Sequence, residues 1–297
     1  IGYEEDDPAI VARMRAGYPR FFIHPITARY FEHVEARFAD EESRIIAYSS
    51  EEAARRAASY VLKQSGVTAR LLSEKRAHLL VPKAGYAAAR DYWRHTGEII
   101  SSRQAEDLLK GGKGDSRLAE VHRQSIAGVL EVEPRDAFLL ESGMAAIFTL
   151  FRVITERRPG LKTLQLCFPY VDALKIQEQF GTGVDFVNDA TGDGLEEALC
   201  AIRAGTYAAV FCEVPSNPLL HTVDLPAVAE ACQDGAVPLL VDDTVCSHQN
   251  IDTLAYADAA STSLTKWVSG VGDVLAGSIR LRKDSQFADE FREVLER

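Results

Sequence analysis

The chain has 297 residues, 46% hydrophobic and 26% charged, with 44 acidic against 33 basic side chains and a formal charge of −11. That is enough apolar material for a large α/β core with about two sub-regions, and the acidic balance argues against nucleic acid held through its phosphates. No run approaches the ~20 consecutive apolar residues of a membrane span, and the opening IGYEEDDPAI has neither region of a signal peptide, so a cytoplasmic location and no membrane partner are expected.

Residues 1 to about 48 are polar with aromatic anchors in GYPRFFIHP and read as an extended arm rather than a domain. Ser49 and Glu52 have the spacing of a capping box that opens a helix over EEAARRAASYVLKQ. A second helix is predicted over GYAAARDYWRHTGE. The stretch ISSRQAEDLLKGGKGDS reads as a flexible connector, since its GGKG lacks the spacing of a phosphate-binding loop. From residue 115 helices alternate with continuous apolar runs: AFLL, TLQLCF, VDFV, AAVFCEV and VPLLVD read as strands. Such alternation predicts a mostly parallel sheet covered by helices on both faces. A last strand is predicted over VLAGSIRLR and a charged helix over DSQFADEFREVLER. The organisation expected is an arm with helices over 1–114, an α/β domain over 115–282, and the start of a further helix over 283–297.

The five cysteines, Cys167, Cys200, Cys212, Cys232 and Cys246, lack C-x-x-C spacing and sit mostly in apolar runs, which predicts buried reduced thiols. Cys246 and His248 have half the donors of a metal site, but no second pair follows at zinc-like spacing, so no metal is expected.

The chemistry concentrates between Val241 and Lys266. Asp242 ends the buried run VPLLV, where a carboxylate can pair with the pyridine nitrogen of pyridoxal 5'-phosphate and keep it protonated; Lys266 can hold the aldehyde as a Schiff base. Ser263 and Thr265 in STSLTK offer hydroxyls to the phosphate, and Thr244 joins the same cofactor-binding set. Upstream, DAFLLESGMAAIFTLFRVI runs from a strand through Ser142, Gly143 and Met144 into a helix, whose N-terminal N–H groups and dipole favour a phosphate. In parallel sheets ligands sit beyond the strands' carboxyl ends, where Ser142, Asn217 and Asp242 are expected.

These segments resemble the Cys/Met-metabolism family of pyridoxal-phosphate enzymes. The family's T-K-x-x-x-G-x-x-D-x-x-x-G pattern appears as Thr265, Lys266, Gly270, Asp273 and Gly277, and its E-x-P-S-N-P-L-L as Glu213 and Pro215 to Leu220. S-G-M-x-A appears as Ser142 to Ala146. The resemblance implies an aspartate-aminotransferase-like, type I fold, with Asn217 beside the cofactor's ring hydroxyl. The family's Y-S-R block is ISSRQ here, so Arg103 matches and Ser101 stands where the tyrosine should be. Arg103 is thereby implied to reach the phosphate of a neighbouring subunit, in a homodimer or homotetramer with shared active sites. The ring-stacking tyrosine of Y-G-G-T is replaced within CFPYVDALKI, where Tyr170 is the candidate and Phe168 the alternative; Val271 stands where many members have histidine. Family members continue into a small C-terminal domain whose arginine grips the substrate carboxylate, and the sequence is expected to be a fragment that stops at or before it.

The ISSR, FPYVDALKI and YPRFFIHP segments are similar to the divergent cystathionine γ-synthases best known from fungi. That implies γ-replacement, with cysteine's thiol displacing the activated hydroxyl of an O-substituted homoserine to give cystathionine. Lys266, Asp242 and Tyr170 are the implied catalytic residues: Lys266 takes a Cα and then a Cβ proton, which requires its neutral form, expected from burial and the cationic cofactor. Cystathionine β- or γ-lyase, O-acetylhomoserine sulfhydrylase and a carbon–carbon bond-forming relative remain open. So does a non-catalytic truncated homologue acting as a partner subunit.

Overall fold

The computed structural model describes residues 7–15, 17–72, 77–112 and 117–296. The chain divides into two compact units, Ile1–Ser116 and Arg117–Arg297.

The first unit contains helices α1 (Pro8–Val11) and α2 (Pro25–Phe38), strand β1 (Ser43–Ala47), α3 (Glu51–Ser65), β2 (Arg70–Leu71), β3 (His78–Pro82), α4 (Lys83–Thr96) and α5 (Ser102–Leu109). β3 lies between β1 and β2, antiparallel to both. Residues 7–48 are therefore no extended arm. Pro25 at the first turn of α2 presets its φ and His24 Nδ1 accepts from Ile26 N at 3.2 Å, so the helix starts where the sequence reads as an irregular aromatic stretch. Tyr30, Phe31 and Val34 bury one face of it, and Phe31 meets Trp93 edge-on at 5.8 Å. The cap of α3 is one residue later than the sequence suggests: Ser50 accepts from Ala53 N at 3.1 Å. The expected connector is also partly helical, because Ser101 and Gln104 form a full capping box at the start of α5, with Gln104 N donating to Ser101 Oγ at 3.1 Å and Ser101 N to Gln104 Oε1 at 2.7 Å. The hydroxyl standing in for the family's tyrosine is a helix cap. Lys113 and Gly114 of GGKG lie outside the described residues.

The second unit contains α6 (Arg117–Val129), β4 (Ala137–Leu140), α7 (Gly143–Arg157), β5 (Thr163–Leu166), α8 (Val171–Phe180), β6 (Val184–Val187), α9 (Gly192–Arg203), β7 (Val210–Glu213), α10 (Leu225–Gly235), β8 (Leu239–Asp242), β9 (Ala259–Thr262), β10 (Gly277–Leu281) and α11 (Ala288–Leu295). Among the described residues its sheet has seven strands in the order β4-β10-β9-β8-β7-β5-β6. β9, β8, β7, β5 and β6 are parallel, while β10 runs antiparallel to both β9 and β4. The predicted mostly parallel α/β sheet is thus the observed one, with the reversal confined to the β4–β10 side. One apolar cluster joins β5, β7 and β8 to α9 and α10 through Leu164, Val210, Leu239, Ile202 and Val228, all at most 1% exposed. β9, AAST, is too small and polar to announce itself as a strand, yet every residue of it is buried between β8 and β10.

Candidate active site

The loops after the carboxyl ends of β4, β5, β7, β8 and β9 carry most of the residues singled out in the sequence, as a parallel sheet requires of a ligand site. At the β4–α7 junction Ser142 is extended and caps the helix, its Oγ accepting from Ala145 N at 3.0 Å. Gly143 and Met144 form the first turn and are buried. A Cβ on Gly143 would come within 2.5 Å of Ser263 Cβ, and one on Gly277 within 2.2 Å of the Ser142 carbonyl oxygen. Only two glycines let β10 and the end of β9 close onto this turn. Ser263 is 9% exposed and its hydroxyl has no hydrogen-bond partner. A buried unsatisfied hydroxyl costs stability, and this one adjoins the positive end of a helix, so a bound anion would satisfy both.

At the end of β8 two neighbouring carboxylates take different paths, because side chains alternate across a sheet. Asp243 is fully buried and is held by Arg280, by Thr262 Oγ1 at 2.5 Å and by Thr253 Oγ1 at 3.0 Å. Asp242 instead accepts from Thr244, through its N–H at 3.0 Å and its hydroxyl at 2.6 Å. The Thr244 hydroxyl in turn accepts from Ser263 N at 2.9 Å, which ties the carboxylate to the phosphate-side turn. Across the ladder Asp242 is in register with Glu213 of β7. Burial pushes the Asp242 carboxyl up to about 6, and burial together with the neighbouring Asp242 pushes Glu213 up to about 8.

Glu213 links the ends of β5 and β7. One of its oxygens, Oε2, accepts from Tyr170 N at 2.7 Å and from Asn217 N at 3.0 Å. It carries the first letter of a motif, but nothing in AVFCEV beyond a polar residue closing an apolar strand signals this role. Phe168, the alternative to Tyr170, packs its ring against Phe186 at 6.4 Å.

Lys266 follows β9 in a turn, with its N–H donating to Ser263 O at 3.1 Å and its carbonyl accepting from Gly270 N at 2.9 Å. Its side chain is exposed, as are Trp267 (68%) and Val271 (78%) beside it, so the burial expected for this lysine is not supplied by the described residues. Of the two hydroxyls expected for a phosphate, that of Thr265 is instead engaged with the backbone of Ala276, donating to its oxygen at 3.4 Å and accepting from its N–H at 3.3 Å. The contacts therefore run unbroken from Ser142 and Gly143 through Ser263, Thr244 and Asp242 to Glu213, Tyr170 and Asn217. Arg103 belongs to the first unit, exposed on the first turn of α5.

Cys167, Cys212, Cys232 and Cys246 are buried, whereas Cys200 is exposed, because it lies on the outer face of the amphipathic α9 rather than in an apolar strand. His248 Nε2 pairs with Val129 O at 2.8 Å and Cys246 Sγ donates to Asp243 O at 3.6 Å. Among the described residues no group of His, Cys, Asp and Glu could hold a metal, and no helix is long and apolar enough to cross a membrane.

An unpartnered hydroxyl beside a helix N-terminus, a carboxylate on the central strand end and a lysine after the next strand fit a phosphorylated pyridine aldehyde, and the fold is that of the type I pyridoxal-phosphate enzymes. A family model described as "Cys/Met metabolism PLP-dependent enzyme" matches residues 119–296. The chain belongs to this family, and pyridoxal phosphate is its cofactor. It is 31% identical over 313 residues to the L-2-amino-4-chloropent-4-enoate dechlorinase/desaturase of Streptantibioticus cattleyicolor, covering 100% of this chain and 63% of that protein. To the cystathionine gamma-synthase of Neurospora crassa it is 25% identical over 422 residues, covering 97% of this chain and 68% of the other. The crystal structure of metB from Corynebacterium glutamicum superposes with a TM-score of 0.50 at 25% identity, over 62% of this chain and 48% of that one. The chain thus spans roughly half to two thirds of the length of these relatives.

Proposed function

We propose that this chain carries the cofactor-binding half of a cystathionine γ-synthase-like enzyme, which replaces the activated γ-oxygen of an O-acyl- or O-phosphohomoserine with the thiol of cysteine. The observation that carries the reading is the pair of hydrogen bonds that joins Asp242 through Thr244 to Ser263, which packs directly against Gly143 of the helix N-terminal turn. Pyridoxal phosphate supplies an electron sink that stabilises negative charge developing at the substrate's Cα and Cβ.

In this reading Ser142, Gly143, Met144 and Ser263 hold the phosphate, with Thr265 shaping the turn from behind. Asp242, fixed by Thr244, holds a proton on the pyridine nitrogen through its carboxylate. Asn217 orients the ring through its 3-hydroxyl and Tyr170 covers its face. Lys266 holds the aldehyde and, once released, moves protons from Cα and Cβ through Nζ. Its exposed position in this chain means that neutrality at Nζ depends on what covers it in the assembled site. Small amino acids are the substrates, and Arg103 of a second copy would reach the phosphate as a planar bidentate donor.

A second reading, elimination from the substrate side chain without an incoming thiol, is favoured by the 31% identity, along the whole chain, to a dechlorinase/desaturase. The protein incubated with O-acetyl-, O-succinyl- and O-phosphohomoserine should form cystathionine only when cysteine is present. A 2-oxo acid and ammonia released at the same rate with and without cysteine would favour elimination, and turnover of the chloropentenoate amino acid alone would replace the first reading by the second. Borohydride reduction and peptide mapping should find the cofactor mass on Lys266. Finding it on another lysine would overturn the site.

A further inference from the structure

The carboxylate of Glu213 has no part in the assignment above, yet it is only 4% exposed and sits at the end of β7 in register with Asp242. A buried carboxylate beside a second carboxylate is expensive and persists where specific donors compensate it. The main-chain N–H groups of Tyr170 and Asn217 both donate to the same atom of Glu213, Oε2. Tyr170 opens α8 after β5, and Asn217 lies in the loop after β7, so the two amides come from segments 47 residues apart by their numbers, 217 and 170. Tyr170 is the N-cap of α8, its carbonyl accepting from Ala173 N at 2.9 Å, and Asn217 follows β7, so both amides lie outside the hydrogen-bond pattern of helix and strand.

We propose that Glu213 is a positioning residue, which clamps the backbones of Tyr170 and Asn217 with one carboxylate oxygen and so fixes both side chains relative to Asp242 on the neighbouring strand. The proposal rests on the reading that Tyr170 and Asn217 bear on the cofactor ring, but the clamp itself is a property of the cofactor-free chain. A buried amide N–H left without its acceptor costs stability, and here one oxygen serves two of them. Losing the shared acceptor removes one hydrogen bond from each segment at once, a coupling that two separate acceptors would not give. The side-chain amide of Gln retains an acceptor oxygen of the same reach, whereas Ala removes it and Asp shortens it by one methylene.

The test uses amide hydrogen exchange resolved by residue in the full cofactor-free chain, alongside spectrophotometric titration with pyridoxal phosphate. In Glu213→Ala the Tyr170 and Asn217 amides should both exchange at least about tenfold faster, with β8 amides such as Val241 unchanged, and the Kd for the cofactor should rise by a similar factor. Glu213→Gln should keep both amides and the Kd within about threefold of wild type. Should Glu213→Ala not fold, Glu213→Asp replaces it, with the same acceleration expected at both amides. Unchanged exchange at either amide in the Ala or Asp variant overturns the clamp. Faster exchange at both with an unchanged Kd keeps the clamp and removes instead the reading that Tyr170 and Asn217 hold the ring.

Discussion

The two halves of the site are built in opposite ways. At the ends of β7 and β8 the two carboxyls are each held by named donors, Asp242 by Thr244, whose hydroxyl accepts from Ser263 N, and Glu213 by the amides of Tyr170 and Asn217. The segment from Lys266 to Val274 is largely exposed, turns through Gly270 and Gly272 at φ of 75° and 67°, and presents Trp267 and Val271 outward. The difference teaches that Asp242, the proposed partner of the ring nitrogen, is fixed at its strand end by the protein itself. Lys266, the proposed carrier of the aldehyde, sits on an exposed loop.

The contrast breaks most visibly at Lys266. Lys266→Ala should lower turnover by roughly 10³-fold or more while leaving urea midpoints of the cofactor-free protein unchanged, because an exposed side chain contributes little to folding. A loss of stability comparable to the loss of activity would erase the distinction between the two halves.

The adjacent carboxylates sharpen it further. Asp242→Asn should keep the fold and much of the cofactor affinity but lose about 10²- to 10³-fold in rate, since an amide cannot hold the ring nitrogen's proton by charge. Asp243→Ala should instead cost roughly 3–5 kcal/mol by stranding the buried Arg280. Urea denaturation with steady-state kinetics on both variants separates them. Equal stability losses would mean that the side on which each carboxylate points does not decide its role.

The raised carboxyls predict the pH response of the cofactor-free chain. Asp242 and Glu213 hold protons when folded that they release when unfolded, between their ordinary values near 4 and their folded values of about 6 and about 8. In that window the folded state binds more protons, so stability falls as pH rises and levels off above about pH 8. The fall between pH 6 and pH 8 belongs mainly to Glu213 and should shrink in Glu213→Gln. An identical slope in variant and wild type would contradict the assignment.

The smallest effect expected is sharing between subunits. When Arg103→Ala and Lys266→Ala proteins are mixed under conditions of subunit exchange, each hybrid dimer should hold one site with both defects and one with neither. Activity should recover toward about half of wild type per hybrid if the phosphate contact is made in trans. No recovery despite demonstrated exchange would put Arg103 outside the partner's site.

The sequence by itself determined most of the alternation of strands and helices in 117–296, β9 excepted, and the family, because buried parallel strands read as continuous apolar runs and the motifs lie on their carboxyl ends. It also located the Ser142–Gly143 turn, since a cap followed by glycine is a local signal. The sequence singled out Asp242, but only the tertiary structure showed that its neighbour Asp243 enters the other face of the sheet and is held by Arg280. It alone distinguished the unpartnered Ser263 hydroxyl from that of Thr265, which the Ala276 backbone engages. The order of the small first unit, with β3 between β1 and β2, and the shared acceptor of Glu213 were likewise out of reach. Each depends on which distant backbone arrives alongside, and pairing between remote segments leaves no periodicity in the chain that makes it.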